Sequence, residues 1–294
     1  MEIAGVEITH PDRVLWPDMG VTKRDLAEYY RAVADAVLPR VRDRPLMLLR
    51  CPSGTEAQCF YQKHAKASVP DAVPRVTVPE KEGKARYLYV NGLAALVGLV
   101  QLGTLELHVW GARRDRLERP DRLVFDLDPD EALPFGRVAQ TALDMRETLD
   151  DLGLASFPKL TGGKGLHVVV PITRRSPWDE ARAFARAVAG RLEGADPDGY
   201  TTDSAKEKRE GRVFIDYLRN ARNATTIADW SPRARDGAPV AVPLDWAELS
   251  TRAKTSPRFG LGEARDRVER GQDPWEGFDR VRQSITKDMR AAVG

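Results

Sequence analysis

The chain has 294 residues, 42% hydrophobic and 31% charged, with 46 basic against 44 acidic side chains and a net charge of +2. That composition suits a soluble globular protein and excludes a uniformly cationic nucleic-acid binder, so any surface for DNA has to come from local clustering. No apolar run approaches the roughly 20 residues of a membrane-spanning helix, the first residues lack the pattern of a secretory signal, and two cysteines, Cys51 and Cys59, are too few for a disulfide framework, so a reducing cytoplasm and no membrane partner are expected.

Thr22 and Asp25 have the spacing of a capping box, and Leu26, Tyr29, Tyr30, Val33 and Val37 recur at helical period, predicting a helix that Pro39 closes. Strands are predicted over 46–50 and 86–90, a buried helix over 92–102 and a strand over 105–110. Residues 111–120, charged and without periodicity, read as a linker. Beyond it come a strand (123–128), a helix (134–152), a strand (157–160), a Gly-rich turn, a strand (166–171), a helix (177–192) and a strand (212–218). Segments 243–249, 262–269 and 275–289 look helical. The expectation is a mixed α+β chain with an N-terminal α/β subdomain (1–110), a core (121–250) and a C-terminal helical segment (251–294).

The most informative stretch is VFDLDP, residues 124–129. Side chains alternate along a strand, so Leu123, Phe125 and Leu127 turn to a core while Asp126 and Asp128 share the other face. Neighbouring carboxylates oppose each other's ionisation, a cost that a hard divalent cation removes. A solvated strand edge is the plainer alternative. A calcium loop is excluded, because Glu131 and Arg137 stand where its glycine and bidentate glutamate belong. Asp216, inside the apolar run VFIDYL, is a third acid, which could equally pair with Arg219 or Arg212. Three acids on neighbouring strands could hold two cations about 3.5–4 Å apart, an arrangement suited to displacement at phosphorus.

The turn TGGKGLH, residues 161–167, frees backbone N–H groups to face an anion and adds the Thr161 hydroxyl, the Lys164 cation and His167. It is not a Walker A loop, and a simple Gly-rich hairpin is the plainer reading. Residues 201–235 carry a basic cluster including Lys206 and Arg209, candidate DNA contacts or members of a solvated loop. Cys51, Cys59 and His64 lack a clear fourth ligand for zinc.

These three motifs in order resemble those of the archaeo-eukaryotic primase superfamily, and more closely the polymerase domain of bacterial DNA ligase D, which works in non-homologous end joining. The segment DRVLWPDMGVTKRDLAEYY, the run Phe60-Tyr61-Gln62-Lys63 and the LELH stretch ending at His108 add to the likeness, which runs from about residue 8 to about residue 250. The resemblance implies a primase-like core with a central, mostly antiparallel sheet flanked by helices. It implies Asp126, Asp128 and Asp216 as ligands of two Mn²⁺ or Mg²⁺ ions, and Thr161, Lys164, His167, Arg219 and Arg233 around an NTP or dNTP triphosphate, with His108 near its sugar. Arg13 and Lys23 would take a 5′-phosphate at a DNA end or gap, Phe60 and Tyr61 would stack on a template base, and Lys63 would lie along the DNA. A DNA ligase and a Ku-type end-binding protein are the implied partners, in the nucleoid. Thr161 stands where the family usually has Ser. A haloacid-dehalogenase-type phosphatase and a non-catalytic end-binding module are the alternatives.

Overall fold

The computed structural model describes residues 1–271 and 273–294. The chain forms two compact units. The first comprises Met1–Asp115, Ile227–Val242 and Arg258–Asp273, and the second Arg116–Thr226, Pro243–Pro257 and Pro274–Gly294. The consecutive blocks read from the sequence are therefore interleaved, since two later segments return to the first unit.

In the first unit two short hairpins, β1 (Glu2–Ile3) with β2 (Val6–Glu7) and β3 (Val14–Trp16) with β4 (Val21–Thr22), precede α1 (Lys23–Ala32) and α2 (Ala34–Val41). The capping box forms: the Asp25 N–H donates to the Thr22 hydroxyl, and the Asp25 carboxylate accepts from the Thr22 N–H at 2.8 Å. The helix expected to end at Pro39 instead breaks at Val33 and resumes through Pro39 to Val41. Proline costs α2 one hydrogen bond without stopping it, because Val37 and Val41 carry the buried face into the core.

The chain then builds β5 (Leu46–Arg50), β6 (Phe60–Gln62), the hairpin of β7 (Arg75–Glu80) and β8 (Gly83–Leu88), helix α3 (Leu93–Gln101) and β9 (Thr104–Trp110). Strand β5 pairs antiparallel with both β6 and β9. Because Arg50 faces Phe60 in that register, the flanking Cys51 and Cys59 are brought opposite each other, with a Cα–Cα distance of 4.4 Å, and are joined by a disulfide. A single disulfide thus forms where two cysteines were too few for a disulfide framework, and it leaves the incomplete zinc set without free thiols.

The second unit holds β10 (Arg122–Pro129), α4 (Phe135–Asp151), β11 (Phe157–Leu160), β12 (Leu166–Pro171), α5 (Trp178–Ala195), β13 (Tyr200–Thr201) and β14 (Val213–Asp216). Its sheet has the order β11–β12–β10–β14–β13, antiparallel except for the β13–β14 pair. Leu123, Phe125 and Leu127 are fully buried on one face of β10. On the opposite face Val124 packs with Val169, Trp275 and Phe278, while Asp126 and Asp128 follow toward the end of the strand.

Three later segments depart from or refine the sequence reading. Residues 275–289 form no continuous helix, only a 3₁₀ turn over Phe278–Arg280 and the start of α7 (Lys287–Val293). The aromatic group of Phe157, Trp275 and Phe278, with the Trp275 indole donating to the Pro158 carbonyl, outweighs local helical preference. Residues 243–249 likewise hold only a 3₁₀ turn, Trp246–Glu248, because Leu244 donates its N–H to the Pro158 carbonyl and keeps the preceding backbone extended. Helix α6 (Leu261–Glu269) is where the sequence reading has it. After β14 the chain forms the short strand β15 (Thr225–Ile227).

Candidate active site

The three acids come together through strand register. Asp126 on β10 is the cross-strand partner of Asp216 on β14, and Asp128 lies two residues on, on the same face. On its other side Asp126 faces His167 of β12, and His167 in turn faces Lys159 of β11. A row of polar residues, Lys159, His167, Asp126 and Asp216, therefore crosses four adjacent strands, and all four are buried. Only His167 and the two acids were candidates from sequence. Lys159, in the strand FPKL, carried no local signal beyond a lysine in an apolar run.

Arg219 closes the group. Its Nε lies 3.2 Å from Asp126 Oδ2 and 3.1 Å from Asp216 Oδ2, spanning the two carboxylates. Asn220, buried beside it, donates to the Val124 and Tyr217 carbonyls at 2.8 and 2.9 Å and accepts from the Val124 N–H at 2.8 Å, which ties the turn after β14 to β10. His167 Nε2 stands 3.3 Å from Asp126 Oδ1, while its buried Nδ1 has no hydrogen-bond partner among the described residues.

The electrostatics separate the acids. Burial alone would raise Asp126, but His167 and Arg219 outweigh it and hold that carboxyl down at about 2. Burial, reinforced by the charge of Asp126, pushes Asp128 up to about 6. Asp216 is also raised, by burial, with Arg219 offsetting part of the effect. Arg209 stacks its guanidinium 3.8 Å from the centre of the Phe214 ring, the residue opposite Asp128, and its charge favours ionisation of both Asp128 and Asp216. The basic residue expected on a DNA-facing loop thus borders the acids, whereas Lys206 is exposed on a 3₁₀ turn.

The residues fit a hard divalent cation by donor chemistry, with three carboxylates from two adjacent strands that oppose each other's ionisation. With the side chains as they stand, Arg219 occupies the space between Asp126 and Asp216. Among the described residues no three His, Cys, Asp or Glu side chains are arranged to hold an ion.

The Gly-rich turn abuts this group. Gly162 adopts φ +71°, and Thr161 closes the loop by donating its hydroxyl to the Gly165 carbonyl at 3.0 Å. Lys164 is exposed, with its Nζ 3.9 Å from Glu131. A Cβ at Gly165 would lie 2.8 Å from the Leu127 carbonyl oxygen and 3.3 Å from Asp128 Oδ1, so glycine alone lets the turn lie this close to β10. Gly165→Ala is expected to cost about 1–3 kcal/mol of stability by overpacking, checked by urea unfolding; a curve superimposing on the parent's would refute this account of the contact.

The first unit carries the remaining candidates. A cavity of about 310 Å³ is lined by His10, Arg13, Lys23, Arg50 and Gln101, among others. Lys23 is buried, donating to the Thr9 carbonyl at 3.0 Å and to Gln101 Oε1 at 2.7 Å, and Arg13 donates to the Pro52 carbonyl at 2.8 Å. Burial, with the Arg13 charge beside it, pushes the Lys23 ammonium down to about 8. Phe60 and Tyr61 are exposed, and Lys63 is paired with Glu80 at 2.8 Å. His108 and Arg233 meet through Glu106, whose Oε2 lies 2.9 Å from His108 Nε2 and 3.1 Å from Arg233 Nε.

The family model described as "LigD, primase-polymerase domain" matches residues 22–275. The chain belongs to this family. It is 40% identical over 293 residues to the multifunctional non-homologous end joining protein LigD of Pseudomonas aeruginosa, covering 99% of this chain and 35% of that protein. To the LigD of Mycobacterium tuberculosis H37Rv it is 35% identical over 282 residues, 93% of this chain and 37% of that protein. The solved polymerase domain from M. tuberculosis Ligase D in complex with DNA superposes with a TM-score of 0.88 at 34% identity, covering 94% of this chain and 98% of that one. The chain thus spans about a third of the length of these two relatives.

Membership makes this a mixed α/β primase-polymerase domain of the nucleotidyltransferase class, a chemistry that needs a divalent metal, and removes the phosphatase alternative. No helix among the described residues is long and apolar enough to cross a membrane. In this primase-polymerase domain the sequence reading missed His10, Arg50 and Gln101 around the cavity, Glu106 beneath His108, and Lys159. A charged residue inside an apolar strand was the one available signal, at Glu106 and Lys159.

Proposed function

We propose that this domain extends DNA 3′ ends by nucleotidyl transfer at gaps or double-strand breaks, in non-homologous end joining. One observation carries the reading: the register that sets Asp126 opposite Asp216, with Asp128 on the same face and the Gly-rich turn against it. Asp126, Asp128 and Asp216 would hold two divalent cations, Mn²⁺ or Mg²⁺, which when bound supply Lewis-acid activation of the attacking hydroxyl and stabilisation of the leaving oxygens. The three carboxylates fix where the reacting groups meet. Thr161, Lys164, His167 and Arg219 present a hydroxyl, two cations and an imidazole to the triphosphate, and Arg209 adds positive charge beside the acids.

In the reaction the primer O3′ bonds to the α-phosphorus, the bond from that phosphorus to the bridging oxygen breaks, pyrophosphate departs and the hydroxyl proton passes to solvent. His108 and Arg233 take part in holding the nucleotide. The cavity around Arg13 and Lys23 takes a 5′-phosphate of the downstream strand, Phe60 and Tyr61 stack on a template base, and Lys63 and Lys206 contact the DNA backbone. A DNA ligase and a Ku-type end-binding protein are the proposed partners, since the relatives carry names of that repair process over chains nearly three times this length.

The test is primer extension on a gapped duplex bearing a 5′-phosphate, with NTP against dNTP and Mg²⁺ against Mn²⁺. Incorporation of either nucleotide is expected, with NTPs used at least as well as dNTPs and Mn²⁺ a strong activator. Binding to the gap without incorporation under any of these conditions would leave a non-catalytic end-binding module in its place.

A further inference from the structure

We propose that Glu106 is a positioning residue for the incoming nucleotide, a buried carboxylate that holds His108 and Arg233 as one unit. The inference rests on the reading above that His108 and Arg233 bind the nucleotide. Glu106 is 2% exposed on β9, and a buried glutamate is rare unless its charge is satisfied. Its Oε2 lies 2.9 Å from His108 Nε2 and 3.1 Å from Arg233 Nε, and its Oε1 accepts from the Ala234 N–H at 2.9 Å. One carboxylate thereby joins a residue of its own strand to one 127 positions further along the chain.

The surrounding backbone is already fixed. Ala228 donates to the Leu107 carbonyl at 2.8 Å, the Leu107 N–H donates to the Ser231 hydroxyl at 2.9 Å, and Tyr29 donates its hydroxyl to the Trp230 carbonyl at 2.9 Å. The Trp16 indole donates to the Arg233 carbonyl at 3.0 Å. With the chain on both sides of Arg233 anchored, Glu106 determines where the side-chain ends go. His108 and Arg233 keep side-chain exposures of 12% and 15%, against 3% for Glu106, so Glu106 acts through them.

The charge state supports the same role. Burial would raise Glu106, but His108 and Arg233 outweigh it and hold the carboxyl at about 2, so it is an anion at any working pH. A carboxylate only accepts, so the His108 nitrogen facing it carries the proton. Tyr61 sets its ring edge-on to His108, with centroids 5.9 Å apart. Glutamate therefore selects one imidazole tautomer and one ring orientation, leaving Nδ1 as the second ring nitrogen.

The test measures primer extension by the full chain at saturating gapped DNA and Mn²⁺ while the NTP concentration is varied. Glu106→Gln is expected to raise KM for the NTP about tenfold or more, because displacement of a binding group by an ångström can cost up to about a hundredfold, with a much smaller change in kcat. Combining it with His108→Ala should raise KM by less than the product of the two single effects, since Glu106 acts partly through His108. ¹⁵N spectra of the imidazole should show a single Nε2–H tautomer in the parent and lose it in Glu106→Gln. Glu106→Asp, which keeps the charge but withdraws it by one methylene, should also raise KM and stands in if Glu106→Gln fails to fold. A lowered melting temperature with parental KM and tautomer would make Glu106 a structural ion pair and overturn the proposal. Unchanged KM in His108→Ala and Arg233→Ala, with Asp126→Ala inactive, would overturn it while sparing the polymerase reading.

Discussion

Asp128→Ala is expected to abolish primer extension, with a rate loss of about 10²-fold or more by comparison with removing one preorganised electrostatic group, while the protein stays folded. Asp126→Ala should lose activity to the same extent, but the two variants are expected to part company in stability. Asp128 is raised to about 6 in the folded chain, mainly by burial and then by Asp126. A raised folded value means that stability is fully present below the unfolded value and is lost as pH rises through about 6. Removing Asp128 removes that loss, so at pH 7.5 the variant should melt no lower than the parent. Asp126 has the opposite sign. Its folded value of about 2 contributes stability present above the unfolded value and lost as pH falls toward 2. Its loss leaves buried His167 without its acceptor and Arg219 with one carboxylate in place of two, so Asp126→Ala should melt lower than the parent. Thermal melts beside the extension assay decide both points. Parental extension by either variant would sink the metal assignment.

Lys23→Ala is expected to weaken binding to gapped DNA carrying a 5′-phosphate by about ten- to a hundredfold, in line with the ~1.5–3 kcal/mol of a charged hydrogen bond, and to leave binding to the same duplex without the phosphate nearly unchanged. The reason is placement. The ammonium is buried in the wall of the cavity beside Arg13, held by the Thr9 carbonyl and Gln101. Fixed donors spend little conformational entropy on a phosphate. Burial also holds its proton loosely, at about 8. Lys23 is therefore charged below that value and neutral above it, so the preference for the phosphorylated gap should shrink as pH rises from 7 to 9. Fluorescence anisotropy on the two duplexes, at both pH values and one salt concentration, measures this. Equal losses on both duplexes would demote Lys23 to a general backbone contact.

Much of the candidate site was legible locally. Strands over 157–160 and 166–171 appear with the bounds read from sequence, and the 123–128 strand gains one residue at either end. Alternation of apolar and acidic residues settles which face Asp126 and Asp128 share, because the two-residue repeat of a strand leaves no other choice. The Gly-rich turn was equally plain, though the cause at Gly165, contact with the Leu127 carbonyl, lies on another strand. The same reading failed over 275–289, where helical spacing was overruled by aromatic packing on the β10 sheet.

By itself the sequence determined the kinds of element, the facing of the two paired acids and the chemistry of the turn, all consequences of backbone period and side-chain type over a few residues. Tertiary structure alone decided that Asp216 pairs with Asp126, that Lys159 and His167 extend the polar row, that Cys51 meets Cys59, and that Glu106 joins His108 to Arg233. The first three depend on strand register, which a one-residue slip would undo. The last depends on a segment returning over more than a hundred residues, where no local periodicity reaches.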